Sequence, residues 1–306
     1  MASIREEQYI DASFTIAFMS IIENRRRYAG WFRGVAIPAL VLLACPEPVR
    51  SQDANPGESI IEDNSFLIEE AYNQEPGIIQ HISNFVHEGP GSSHGFVYTL
   101  TEEWPIAGQI HQFGFTMPYV DRGGGAAGGF GDILVNYRYQ LTGAGDAVAI
   151  APRLSLILPT GDESRGQGSG VFGAQVNLPV STRLSQAFVA HFNAGFTILP
   201  DVHGKDASGS EVSRTLSALS GGGSVIWLAS ARMNVHVEGL VIHVGDFGAS
   251  GEVENRTEFI VNPAVRCATD LGSLQIVPGF GVPVTFTSGD APEASLFFYL
   301  SFEHPL

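Results

Sequence analysis

Four consecutive residues, His81-Ile82-Ser83-Asn84, carry the side-chain types with which barrel-embedded lipases work: a base, a nucleophile and an amide. Serine hydrolysis needs the hydroxyl within reach of a base that a third group orients, beside an oxyanion site. At a spacing of two, His81 and Ser83 share one face of an extended chain. No third member and no strained nucleophile turn accompanies them, so a barrel-embedded hydrolase is the remote alternative. The nine histidines lack the spacing of a metal site; His236 and His243, for example, fall on opposite faces of one strand. Residues 161–170, GDESRGQGSG, are rich in acids and glycine but lack the ligand spacing of a calcium loop, and they read as a flexible external loop. No catalytic residue, metal or cofactor is expected from these patterns.

A second set of polar residues is more informative, because each member falls on the less apolar side of an alternating run. It comprises Asp132, Asn136, Arg138, Arg153, Gln175, Asn177, His191, Asn193, Arg232, Asn234, Glu238, Arg256, Glu258 and Arg266. Two readings stand. The set lines a water-filled pore and sets its solute preference, or it neutralises itself through ion pairs and amide hydrogen bonds inside a static wall.

The runs that position this set have a period of two. Ile133, Val135, Tyr137, Tyr139 and Leu141 alternate with Asp132, Asn136, Arg138 and Gln140, and after TGAGD the apolar set is Val148, Ile150, Pro152, Leu154, Leu156 and Leu158. That period places successive side chains on opposite faces of a strand. Runs of roughly a dozen residues suit tilted strands that cross a bilayer, which take about 9–11 residues. Phe172, Ala174, Val176, Leu178 and Val180 repeat the pattern, as do Phe188, Phe192, Phe196 and Ile198, and later Phe259, Val261, Pro263 and Val265. An arginine is therefore expected to be tolerated at Ser155 and not at its neighbour Leu156.

Twelve strands are predicted, near 78–88, 95–105, 109–120, 130–141, 147–159, 170–181, 187–199, 215–229, 232–244, 253–267, 273–287 and 294–304. The first and eighth have blurred faces, and the glycines at 221–223 point to a bend or bulge there. Short links are predicted at 106–108, 142–146, 182–186, 230–231 and 268–272. Longer, Gly- and acid-rich ones alternate with them at 88–94, 121–129, 160–169, 200–214, 245–252 and 288–293. Short periplasmic turns alternating with long external loops are the habit of outer-membrane barrels. The expected fold is thus all-β, a transmembrane antiparallel up-and-down barrel over residues 77–306, with both termini in the periplasm.

Composition agrees. Of 306 residues, 44% are hydrophobic and 16% charged, with 36 glycines and a net charge of −16; globular soluble chains carry about 25% charge. No apolar run reaches the roughly 18 residues of a membrane helix. The longest, residues 34–45, follows Arg25, Arg26, Arg27 and Arg33 and precedes breaker-rich sequence, the layout of a signal peptide over 25–51 cleaved after Ser51. A loose lipobox ending at Cys45 offers lipidation instead. Residues 1–24 read as an over-extended start, with Met19 as initiator, or as a disordered tail. Loss of residues 1–51 removes six Lys/Arg and five Asp/Glu, leaving 10 against 27 and a charge near −17. That acidity argues against nucleic acid as a partner.

Between the signal peptide and the first strand, residues 52–76 form a periplasmic segment or a plug. The stretch DNSFLIEEAYNQEPGIIQH, residues 63–81, resembles the segment that opens the outer-membrane transporters of the phenol meta-degradation type. The resemblance continues through GFGDILVNYRYQL and APRLSLILPTG, and so covers residues 63–306. It implies an outer-membrane β-barrel that admits small aromatic or apolar compounds. The expected function is a passive channel or uptake port, with outer-membrane lipids and small solutes as partners. A structural or surface-interaction barrel without transport is the alternative.

Overall fold

The computed structural model describes residues 64–87, 95–123, 127–143, 145–248 and 250–306. The expected N-terminal extension (1–24), signal peptide (25–51) and start of the 52–76 segment lie outside the described residues. The described chain is a closed antiparallel β-barrel of twelve strands. These are β1 (Ile78–His87), β2 (Phe96–Ile106), β3 (His111–Asp121), β4 (Gly129–Phe130 with Ile133–Tyr139), β5 (Ala149–Ile150 with Arg153–Leu158) and β6 (Gly173–Asn177 with Val180–Arg183). There follow β7 (Phe188–Lys205), β8 (Glu211–Ser230), β9 (Met233–Phe247), β10 (Val253–Cys267), β11 (Leu274–Gly281 with Val284–Thr287) and β12 (Leu296–Pro305). Each pairs with its sequence neighbours. β1 pairs with β2 on one side and β12 on the other, with Ile78 opposite Pro305 and His87 opposite Leu296, so no edge is left open. Closure matters because an unpaired backbone polar group facing lipid costs several kcal/mol.

The interruptions have a local cause. β5, β6 and β11 break at Pro152, Pro179 and Pro283, which cannot donate to the ladder. The glycines at 221–223, expected to mark a bend, instead lie in unshifted register against Phe192–Ala194 and Gly239–Val241. The irregularities fall elsewhere, at Leu199/Val202 and Leu228/Ser230.

The two rims differ less in loop length than the sequence implied. Most of the expected loop 200–214 is strand: β7 runs on to Lys205 and β8 begins at Glu211, with Val202, His203 and Gly204 paired to Arg214, Ser213 and Val212. Likewise β9 runs to Phe247. Acids and glycines there looked loop-like because a strand projecting beyond an apolar belt needs no apolar face. At the opposite rim the β4–β5 link is long but folded back, with Thr142 bridged to Ile150. Residues 161–170 are not a loose loop either. Glu163–Arg165 form a 3-10 turn, and Gln167 and Ser169 are buried.

Alternation fixes the two faces. Leu154, Leu156, Phe172, Phe192, Leu219 and Phe298 stand exposed on the outside, while Asn136, Arg138, Ser155, Gln175, His191 and Asn262 are buried inside.

Candidate functional site

The interior is divided by height. Toward the rim that carries β1's end and β2's start, inward positions are mainly apolar: Val86, Val97, Leu134, Ile157, Leu216, Leu240, Ile242, Ile260 and Phe297 belong to one buried cluster. Toward the opposite rim, where Ile78 and Pro305 lie, the inward positions are Gln80, Gln112, Arg138, His191, Glu238 and Arg266, all buried, and the partly buried Arg153. Leu134 and Ile157 are 1% and 0% exposed, buried in a cluster that Phe66 and Ile68 complete.

The polar half holds residues 64–76, an irregular segment without helix or strand that bends at Phe66–Ile68 and again at Ala71. Its backbone has no strand partner, so its N–H and C=O groups must be satisfied by the wall. One oxygen of Glu238, Oε1, accepts from three successive backbone N–H groups, those of Phe66 (2.9 Å), Leu67 (2.7 Å) and Ile68 (3.1 Å). Its other oxygen accepts from Asn262 Nδ2 at 2.7 Å. Asn193 copies a strand neighbour: its Oδ1 accepts from the Glu69 N–H and its Nδ2 donates to the Glu69 carbonyl, both at 2.8 Å. Gln140 does the same lower down, accepting from the Asn73 N–H and donating to the Ala71 carbonyl. The Ala71 N–H donates to Ser181 Oγ, and the Gln74 N–H to Gln112 Oε1.

Side chains of the segment complete the fit. Glu69 is gripped by Arg153 through Nε at 3.1 Å and Nη2 at 2.7 Å, the bidentate geometry that suits arginine to carboxylates. Phe66 stacks between Phe297 and Tyr299, with centroids 5.0 and 4.9 Å away, and meets His236 edge-on. Phe66 and Ile68 both join the apolar cluster, so the segment's tip caps the apolar half. Two glycines make this approach possible. A Cβ on Gly279 would stand 2.5 Å from Phe66 Cζ, and one on Gly222 would stand 2.8 Å from Ile68 Cδ1 and collide with the Gly239 carbonyl.

Of the fourteen polar residues singled out by alternation, most face the interior, and several hold the segment: Arg138 (through the Glu70 carbonyl), Arg153, Asn193 and Glu238. Asn136, Gln175 and Asn177 brace these, Asn136 and Gln175 by accepting from Arg153 and Asn177 by donating to Asn193, and His191 bonds Ser181 at 2.6 Å. Asn234 and Arg266 face each other across the β9–β10 ladder. Arg256 pairs with Glu258 at 2.9 Å and Asp246 at 3.4 Å. Asp132 instead pins the 161–170 stretch, accepting from the Gly161 N–H, the Ser169 N–H and the Ser169 hydroxyl. Arg232 is in the β8–β9 turn, paired with Asp270. At the projecting hairpin tip, the Ser208 hydroxyl first and the Ser210 N–H second hold Asp206 below the usual carboxylate range.

Gln140 stood on the polar face of its run but outside the candidate set, and Gln109, Gln112, Ser181 and Ser224, which also bond the segment, were not singled out at all. Their sequence signal is faint: uncharged donors and acceptors near the short turns. The candidate trio is split by the strand. Ser83 Oγ lies 3.1 Å from Tyr98 OH, His81 bonds Glu102 and His304, and Asn84 turns inward to Thr99.

No family model matches the chain, and no curated protein matches it. Among solved structures, an outer-membrane channel from Pseudomonas putida F1 aligns with a TM-score of 0.54 at 12% identity, over 80% of this chain and 100% of its own. The NanC porin aligns with a TM-score of 0.46 at 8% identity, over 74% of this chain and 100% of its own. At 12% identity the likeness to the Pseudomonas channel is one of fold.

Proposed function

We propose that the chain is an outer-membrane port for small apolar solutes, aromatic compounds among them, whose lumen the N-terminal segment plugs. A band of exposed Leu, Val and Phe on the outer wall suits lipid and would be an aggregation hazard in water. Trp104, Tyr137, Tyr139 and Trp227 ring it near the short-turn rim, as an aromatic girdle does at a bilayer interface. In that setting the short turns and both barrel ends are periplasmic, and residues 25–51 are the export signal.

The observation that carries the solute class is the division of the lumen. A pore for hydrophilic solutes is lined by polar or charged groups along its path, whereas here half the interior is mainly apolar, with the charges of Asp132 and the Arg256–Glu258 pair held in local bonds, and is capped by Phe66 and Ile68. The polar residues first read as a pore lining serve mainly as the socket of the plug. Preference for aromatic compounds rests on the resemblance of residues 63–81 to transporters of the phenol meta-degradation type.

The tight burial of the apolar cluster also favours a second reading, a static scaffold whose external loops are the working surface. Reconstitution separates the two. Vesicles containing the barrel should take up small apolar aromatics faster than protein-free vesicles, corrected for passive permeation, and faster than sugars of similar size. A scaffold gives the protein-free rate for every solute.

A further inference from the structure

The outer face of the closing seam carries an arrangement that solute passage does not use. His81 of β1 and His304 of β12 meet there with their Nε2 atoms 3.0 Å apart. Their centroids are 5.1 Å apart, so the rings meet edge to edge at those nitrogens. The other ring nitrogens are already engaged. His81 Nδ1 lies 2.6 Å from Glu102 Oε2, and His304 Nδ1 lies 2.8 Å from the Pro305 carbonyl oxygen.

These partners decide the tautomers. An ionised carboxylate and a carbonyl accept hydrogen bonds and cannot donate, so each Nδ1 carries its ring's proton. In two neutral rings, both Nε2 atoms then present bare lone pairs to one another at hydrogen-bond distance with no hydrogen between them. Such a contact is repulsive unless a positive charge occupies it. A carboxylate on one distal nitrogen and a carbonyl on the other is also how metal-ligating histidines are oriented.

We propose that His81 and His304 form a binding site for a divalent cation of the zinc class, which joins the first strand of the barrel to the last. Two imidazoles on a tetrahedral zinc, at Zn–N distances of about 2.0–2.1 Å, hold their nitrogens about 3.3 Å apart. The pair would open by only a few tenths of an ångström. The His81 side chain is 32% exposed and His304 is also partly exposed, so both rings can adjust and the ion can reach them. Imidazole nitrogen selects zinc, copper or nickel over magnesium or calcium. Among the described residues no group of three or more His, Cys, Asp or Glu is placed to hold a metal, so water completes the shell. The consequence is mechanical: beside this pair, the Leu306 N–H donates to the Gly77 carbonyl at 2.8 Å, and a bound ion adds a second tie where the two ends of the barrel chain meet.

The test uses the purified barrel without a polyhistidine tag, stripped of metal and titrated with zinc chloride by calorimetry, folding being checked by heat-modifiable migration. One saturable equivalent is expected, together with a zinc-dependent rise in the unfolding temperature. Both should vanish in His81→Ala and in His304→Ala and persist in His243→Ala, which removes another outer-face histidine. Glu102→Gln, which leaves both rings in place, should weaken binding by about 10–100-fold. Should either seam variant fold poorly, His304→Asn takes its place. Absence of saturable binding, or binding that survives loss of either ring, overturns the proposal, and the seam would then share a proton.

Discussion

The plug can be unlatched at a single residue. Glu238 Oε1 is the shared acceptor for three backbone N–H groups of the segment. Replacing Glu238 with alanine leaves these donors without a partner in a dry interior, at about 1–3 kcal/mol each, or on the order of 3–9 kcal/mol together. The upper end overstates the effect, because the three bonds share one oxygen and a released segment regains water. At the lower end, 3 kcal/mol still shifts the docked-to-released ratio by more than about a hundredfold, since each 1.4 kcal/mol is tenfold. Glu238→Gln should be milder: it keeps an acceptor, while neutral hydrogen bonds are roughly half as strong as charge-assisted ones. Two measurements read the outcome, single-channel conductance in planar bilayers and hydrogen exchange at Phe66, Leu67 and Ile68. Conductance and exchange should both rise in the order wild type, Glu238→Gln, Glu238→Ala. A folded Glu238→Ala barrel with unchanged conductance and still-protected amides would mean that Glu238 does not hold the segment in place.

Gly279→Ala should push Phe66 from its seat between Phe297 and Tyr299 and raise conductance, and adding Phe66→Ala should relieve the strain, visible as a recovered denaturant midpoint in the double variant. Leu156→Arg places a charge on the outer wall and should cost about 2–4 kcal/mol if the site lies near the bilayer midplane, read as a lower denaturant midpoint in lipid. The expected tolerance of arginine at Ser155 is revised. That residue is 1% exposed and donates to Asn136 Oδ1 at 2.7 Å, so Ser155→Arg should destabilise as well, whereas Ser155→Ala should cost only about 1 kcal/mol. Mass measurement of the outer-membrane form should give a chain beginning near Gln52; a lipidated Cys45 at the N-terminus or a retained Met1 would contradict export through a cleaved signal peptide.

The barrel was legible because a period of two survives in single strands: Leu154 and Leu156 outward, Arg153 and Ser155 inward, need no knowledge of a partner strand. The apolar half of the lumen was not read from the sequence, although the runs Ile133-Leu134-Val135 and Leu156-Ile157-Leu158, where alternation fails because both faces are apolar, carry it. The projecting ends of β7 and β8 were not legible, since strand pairing there involves His203, Gly204 and Lys205, which follow a Pro-Asp pair and carry no apolar alternation. The socket was half legible. Alternation placed Arg153, Asn193 and Glu238 inside, but their shared partner is a segment 84 to 172 residues earlier in the chain, and no local spacing encodes that contact. The same holds for the His81–His304 pair, 223 positions apart, which only closure of β12 onto β1 brings together.

On the proposed function, the N-terminal segment closes a path that the barrel wall would otherwise leave open. Deletion of residues 52–74 tests it most directly, with flux of a small aromatic solute and single-channel conductance measured on the same reconstituted sample. The wall lacks Phe66, Ile68 and Glu69 in that variant, but its strand pairing from Ile78 onward is untouched, so the barrel should assemble and migrate as a folded species. Both conductance and aromatic flux should rise above those of the intact protein. A correctly assembled deletion variant with conductance and flux equal to the intact chain would contradict the account and leave a barrel whose interior is a static core.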